Sequence, residues 1–316
     1  RCRVHRPSLP RPPPVAAAGR RPARVTRERI DGKMSTVEIF DERVSELAEA
    51  PWYDERTGRV GWVDIMGRRV LWRDLASGEV GEMATAEEVS AAVPRAGGGL
   101  VLLLASGPVL ADPDGTLTRL EPYDDPEPGV AVRTNDAKAD PAGRLWFGTM
   151  DREHTTPRGA LYRLDPGSTT PVRVLSGIII SNGLGWWGDR MYYVDTMTNR
   201  IDMFTYDEAT GEIGDRRTFV EVPKPDGLCV DAEGHVWVAV WGTGTLRRYT
   251  PDGRVDRELT VPTPQVTSCA FAGPDYRTLI ITTGAEFGLH GTPGAGLVYV
   301  EHLSDVAGRP VDRFAG

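Results

Sequence analysis

The sequence predicts an all-β fold: a six-bladed β-propeller of four-stranded antiparallel blades around a central channel. Three observations carry this. An acidic or glycine-containing turn followed by a short β-branched or aromatic strand recurs along the chain. Its markers Trp62, Leu103, Trp146, Tyr192, Trp237 and Ile280 stand 41, 43, 46, 45 and 43 residues apart, a period that suits four short strands per unit. Helical periodicity, which a βαβ fold needs between strands, is scarce; its best candidate is the stretch around Ala86 to Ala92.

The units follow in order. Asp54–Gly58 turns into Val60–Asp64, and Val101–Leu104 runs weakly on to Val109–Asp112. Asp140–Gly143 turns into Leu145–Phe147, Gly188–Asp189 into Met191–Val194, and Asp231–Gly234 into Val236–Ala239. Pro274–Tyr276 leads into Leu279–Thr282. Segments Thr36–Phe40 and Gly296–Val300 can pair and complete one blade from two distant parts of the chain, removing the open edges of a partial ring.

The domain reading is a propeller over residues 34–316 behind a tail, 1–33. The tail holds nine Arg, one Lys, six Pro and only two acidic residues, too little apolar surface to offset the entropy of ordering it. It reads as sequence upstream of a start at Met34; a basic nucleic-acid arm or an organelle-targeting segment is the alternative. Without it, 27 basic residues face 43 acidic ones, a balance that disfavours nucleic acid as a partner. No apolar run reaches the ~20 residues of a membrane helix. Three cysteines, Cys2, Cys229 and Cys269, are too few for a disulfide framework and lack metal-ligand spacing; a cytoplasmic location is expected.

Four polar clusters interrupt the strand pattern: Leu47–Pro51 around Glu49, Arg133–Asp136, Ser181–Leu184 and Pro225–Leu228. From Glu49 to Asn135, Asn182 and Asp226 the intervals are 86, 47 and 44 residues, close to two, one and one repeats. Equivalent positions on different blades converge at one end of the channel, and carboxylates meeting amides there suit a hard cation. Asn-Gly and Asp-Gly are also ordinary turn dipeptides, and the register alone leaves both readings standing. None of the five His falls in this register, although His154 follows Glu153 in a loop expected beside the pocket. No nucleophile elbow or dinucleotide fingerprint precedes a helix. Asp140, Asp195 and Asp231 read as turn or strand-end acceptors, Lys138 as the partner of a nearby acid, and the Trp residues as core.

The stretch Arg133–Met150 (RTNDAKADPAGRLWFGTM) resembles the R-x-N-D-G-K-x-D-P-x-G-R-x-W-x-G-T-M signature of the gluconolactonase/regucalcin (senescence marker protein) family. Ser181–Trp186 with Tyr192–Thr196, Pro225–Ala239, Thr267–Phe271 and Leu47–Ile65 resemble its further landmarks in the same order, over about residues 47–300. The resemblance implies one divalent metal ion (Ca²⁺, Mg²⁺, Mn²⁺ or Zn²⁺) held by Glu49, Asn182 and Asp226, with Asp226 also the general base. It implies that Arg133, Asn135 and Glu153 bind substrate hydroxyls. Ala137 and Ala50 stand where the family has glycine, a departure that matters where φ is positive. The expected activity is hydrolysis of a lactone, an aldonolactone such as gluconolactone, by a monomer or weak homo-oligomer with no nucleic-acid or membrane partner. The alternatives are ester or phosphotriester hydrolysis on the same metal, or a non-catalytic metal-binding propeller.

Overall fold

The computed structural model describes residues 37–124 and 132–316, with the backbone of Arg29–Ile30 and Lys33–Met34, which pair antiparallel. The tail expected over 1–33 otherwise lies outside the described residues. Six four-stranded antiparallel sheets form the ring. Blade 1 is Ala48–Asp54, Arg59–Asp64, Arg69–Asp74 and Val80–Ala84; blade 2 is Val89–Pro94, Leu100–Leu104, Gly107–Ala111 and Leu117–Arg119. Blade 3 is Val132–Ala139, Leu145–Asp151, Gly159–Leu164 and Val172–Ile178; blade 4 is Ser181–Trp187, Arg190–Asp195, Arg200–Tyr206 and Ile213–Glu221. Blade 5 is Pro225–Val230, Val236–Val240, Thr245–Tyr249 and Val255–Thr260. Blade 6 joins Val266–Ala272, Thr278–Thr283 and Val298–His302 to Glu38–Asp41, with Tyr299 opposite Ile39 and Val300 opposite Glu38. The ring therefore closes by the pairing the sequence predicts.

All six marker residues fall on the second strand of a blade, and all are fully buried. That strand faces neighbouring blades on both sides, so the pattern selects large apolar residues there. Two of the three marker indoles find acceptors at this depth: Trp146 donates to Asp140 Oδ2 and Trp237 to Asp231 Oδ2, both at 2.9 Å, while the Trp62 N–H has none. Asp140 and Asp231 also accept backbone amides of their own turns, and Asp195 accepts those of Ile179 and Ile180. The one helical expectation fails. Residues 86–92 lead into Val89–Pro94, the innermost strand of blade 2 and buried throughout. Its alanines reflect the crowding at the axis, where small side chains fit, rather than helix preference.

Every innermost strand slips register against its neighbour near its start: at Glu49/Trp52, Val89/Ala91, Thr134/Ala137, Ser181/Leu184, Pro225/Leu228 and Val266/Ser268. Such bulges re-aim side chains out of the ladder. The opposite face of the ring is crossed by residues 303–316, which touch every blade in turn. Gly308 donates to Tyr276 O (blade 6), Ala232 to Ala307 O (blade 5), Arg309 Nη1 to Trp186 O (blade 4) and Ala315 to Gly143 O (blade 3). Phe314 donates to Pro94 O on blade 2, and Arg313 bonds Glu55 beside blade 1. Beneath the centre this strap closes a cavity lined by Lys138, Cys229, Arg309 and Asp312 among apolar residues.

Candidate metal centre and active site

The bulges decide which residues face the mouth of the channel. Glu49 borders the blade 1 slip, while Asn135 and Asp136, Asn182, and Asp226 lie within those of blades 3, 4 and 5. All five are less than a tenth exposed, as is Arg133. Blades 2 and 6 carry hydroxyls at the equivalent points, Ser90 and Thr267. These two serve as latches between blades: Ser90 Oγ donates to Thr134 Oγ1 at 2.8 Å, and Thr267 Oγ1 to Ala48 O at 2.6 Å. Close approach of the inner strands depends on Gly183 and Gly227. A Cβ on Gly183 would stand 2.7 Å from Asp226 O, and one on Gly227 2.1 Å from Ser268 Oγ.

Three of the clustered side chains keep an oxygen without any hydrogen-bond partner: Asn182 Oδ1, Asp226 Oδ1 and Asp136 Oδ2. Buried oxygens are rarely left so. Their other polar atoms are tied down. Asn182 Nδ2 donates to Thr196 Oγ1 at 3.0 Å, Asp136 Oδ1 accepts the Ala137 amide at 2.7 Å, and Glu49 Oε2 accepts the Ala50 amide at 2.9 Å. Burial, together with the Asp136 charge, pushes the Glu49 carboxyl up to about 8. Burial likewise lifts Asp226 well above the usual carboxylate range, with Glu49 and Asp136 adding to it, and lifts Asp136. Three acids crowded in this way repel one another, and the charges of Arg133 beside Glu49 and Lys138 beside Asp136 offset that only partly. The donor set is all oxygen, and it fits a hard divalent cation.

Arg133 and Asn135 join the group differently. Arg133 Nη1 donates to Asn135 Oδ1 at 2.7 Å and to Thr134 O at 2.9 Å, and Asn135 Nδ2 donates to Ser181 O at 2.7 Å. Both ends of the Asn135 amide are thus engaged, one of them across to blade 4. Glu153 stays outside the cluster, exposed on a loop that Asp151 organises by accepting the Thr156 hydroxyl and nearby amides. His154 lies on the same loop, where partial loss of hydration and then the Arg133 charge lower its pKa. Lys138 acts on a nearby acid through charge alone: its ammonium donates to the Leu228 carbonyl, while its charge pulls the Asp136 carboxyl down against burial.

Two acids escape sequence reasoning. Asp136 adjoins Asn135 in the same bulge, and only its unpartnered oxygen marks it. Glu286 arrives from a loop after the second strand of blade 6. Burial raises its carboxyl to about 7, and it acts electrostatically on both Glu49 and Arg133. Nothing in the local sequence signals that reach. Of the two alanines standing for glycine, Ala50 has a φ of +44° and Ala137 is not in the left-handed region. A second acidic group, Asp231, Glu233 and His235, lies at the turn between the first two strands of blade 5. Arg248 already fills it, bonding Asp231, Glu233 and Asp256 at 2.6–2.8 Å.

Residues 47–285 match the model of the SMP-30/Gluconolactonase/LRE-like region. The chain belongs to this family. A regucalcin of Danio rerio is 35% identical over 257 residues, 78% of this chain and 86% of its own. A pentonolactonase of Haloferax volcanii is 35% identical over 268 residues, 83% of this chain and 88% of its own. Among solved structures, a calcium-binding protein, regucalcin, of Agrobacterium tumefaciens shares 30% identity with a TM-score of 0.83, covering 89% of this chain and 98% of that one. A luciferin-regenerating enzyme at 29% identity has a TM-score of 0.79 over 89% of this chain and all of that one. Membership spans the ring's site-bearing inner strands of every blade, since 47–285 runs from Leu47 to beyond Thr283. Among the described residues of this SMP-30-family propeller, no helix is long and apolar enough to cross a membrane.

Proposed function

We propose that this propeller hydrolyses lactones with the help of one divalent cation held by Glu49, Asn182 and Asp226. The reading rests on one observation: the unpartnered oxygens of Asn182 and Asp226 sit in a buried cluster with Glu49. Relatives named as a pentonolactonase and a sugar lactone lactonase support lactones as the substrate class. A bound cation would supply positive charge opposite the oxyanion that forms as water adds to an ester carbonyl.

Asp226 then has a defined task. Its carboxylate, drawn to ionise where Glu49 and Asp136 are neutralised, would take the proton of the attacking water. The water oxygen bonds to the acyl carbon, the bond from that carbon to the ring oxygen breaks, and the ring oxygen takes up the proton held by Asp226 and leaves as the hydroxyl of an open-chain hydroxy acid. Arg133 offers a guanidinium to substrate oxygens, and Asn135 acts as its positioning residue through the 2.7 Å bond to Nη1. Glu153 stands at the rim, where it can reach substrate hydroxyls. Aldonolactones are the preferred substrates on this reading, because Arg133 is a donor suited to hydroxyl-bearing rings.

The test is a panel of sugar and unsubstituted lactones followed by acid release, first after chelation and then with Ca²⁺, Mg²⁺, Mn²⁺ or Zn²⁺ restored singly. Ring opening should vanish on chelation, return with a metal, and be lost in Asp226→Asn. Opening that persists without metal, or survives in Asp226→Asn, would overturn the reading.

A further inference from the structure

The mouth is chemically lopsided. On the side of blades 2 and 3 it carries the Arg152–Glu88 ion pair, at 3.0 Å, together with Arg133 and His154. On the side of blades 4 to 6 two large apolar side chains stand exposed, one of them next to Glu286. Phe287 is 72% exposed, the most exposed large apolar residue described, and Met197 is 45% exposed on the corresponding turn of blade 4.

Phe287 is held where it stands. It belongs to the connection between the second and third strands of blade 6, residues 284–297, fourteen residues against two to seven in the other blades. Gln265 Nε2 donates to Glu286 O at 2.9 Å and the Ala285 amide to Glu46 O at 2.8 Å, pinning the residues just before it. Gly284 bridges Leu47, two residues before Glu49, so this connection starts beside the blade 1 strand that carries that acid. Phe287 itself has a φ of +49°, a left-handed conformation that costs a bulky residue energy and that clusters at functional sites. Its ring meets Trp241 edge-on, with centroids 6.2 Å apart. Trp241 is anchored in turn, its amide donating to Lys224 O at 3.1 Å, two residues before Asp226. The aromatic pair therefore stands beside the start of the strand that carries Asp226.

We infer that Phe287 and Trp241 form an apolar shelf that receives a non-polar substituent of the substrate, so that among hydroxyl-bearing lactones those that also carry an alkyl or aryl group on the ring are preferred. This rests on the hydrolytic reading above and narrows its substrate class. A ring bound beside Asp226 brings one edge next to the shelf, because Trp241 is tied to Lys224, two residues before Asp226. An exposed phenylalanine backed by a half-buried tryptophan beside a polar site suits a mixed polar and apolar ligand.

The experiment is a homologous series of γ-lactones, from unsubstituted to a hexyl chain, measured with the metal-loaded protein and its Phe287→Ala and Phe287→Leu variants. Because Phe287 is exposed, its truncation leaves the core intact. In the wild type, kcat/KM should rise about two- to fourfold per methylene over the first few carbons, mainly through KM. Phe287→Ala should flatten that slope, and Phe287→Leu should restore much of it. A flat wild-type series, or a slope that Phe287→Ala leaves unchanged, overturns the shelf while ring opening of the short lactone keeps the hydrolytic reading. Failure to open any lactone with any metal removes both.

Discussion

Asn182 Nδ2 donates to the Thr196 hydroxyl at 3.0 Å, and the Thr196 hydroxyl donates its only proton to Pro225 O at 2.8 Å. Because that proton is committed, Thr196 can only accept from Asn182, which fixes the amide with Oδ1 toward the acid cluster. Thr196 thus orients a metal ligand and ties blade 4 to the residue before Asp226 at the same time. Replacing it by valine keeps the shape and removes the orientation. Thr196→Val should weaken divalent-metal affinity about 10–100-fold, read by calorimetric titration, with a much smaller change in Tm.

Metal binding should also be visible in the pH dependence of stability. Burial holds Glu49 protonated up to about pH 8 in the metal-free fold, whereas an unfolded glutamate releases its proton near its ordinary value of 4.5. Between those values the native state binds more protons than the unfolded one, so stability is greatest at the acid end and falls as pH rises. The Tm of chelated protein should therefore drop from about pH 5 to pH 8. Added metal displaces those protons, and its Tm increment should grow over the same range. A metal-free Tm that climbs with pH across this window would contradict the assignment.

Arg133 separates substrate recognition from chemistry. Arg133→Ala should cost hydroxylated lactones more than lactones lacking hydroxyls, by roughly 1–3 kcal/mol in the ratio of kcat/KM values. Both substrates share Asp226 and the cation, so those contributions cancel in the comparison. Equal losses on the two would assign Arg133 to the reacting ester or to the fold.

Ala50 carries a left-handed backbone, φ +44°, directly beside Glu49. Glycine adopts that conformation without strain, so Ala50→Gly should stabilise the protein by roughly 1 kcal/mol, an increase of about 2–4 °C in Tm. The Glu49 carboxylate keeps its bond from the backbone amide in either case, and metal affinity should stay within a few-fold.

The architecture is legible in the sequence because propeller physics repeats. Trp62, Trp146 and Trp237 occupy the same buried second-strand position, and the demand for bulk there recurs every forty-odd residues. The pairing of Glu38–Asp41 with Val298–His302 is legible for the same reason, since two orphan strand patterns remained. Glu49, Asn182 and Asp226 share that register, so their convergence follows from the repeat. The remainder depends on geometry that the repeat does not encode. Val89–Pro94 carries few large residues, and its alanines mimic a helical composition. Glu286 and Phe287 reach the mouth through an insertion unique to blade 6, outside any register. Whether an alanine at a bulge takes positive φ, as Ala50 does and Ala137 does not, turns on local slip rather than residue type.

The strap of residues 303–316 and the strand at Glu38–Asp41 have a consequence for how the chain reaches its native state. Blade 6 waits for residues 38–41 to meet 298–300, and blades 1 to 3 are fastened underneath only when residues 313–315 exist. During synthesis, five blades can therefore emerge and pair internally while the ring is still a horseshoe with two exposed ends. Contacts between residues more than 200 positions apart must form last, a demand that slows folding. The open horseshoe offers strand edges to its copies in the meantime. Expression yield should accordingly be governed by the time spent in that horseshoe, and slower translation or lower temperature should favour the closed ring over aggregation.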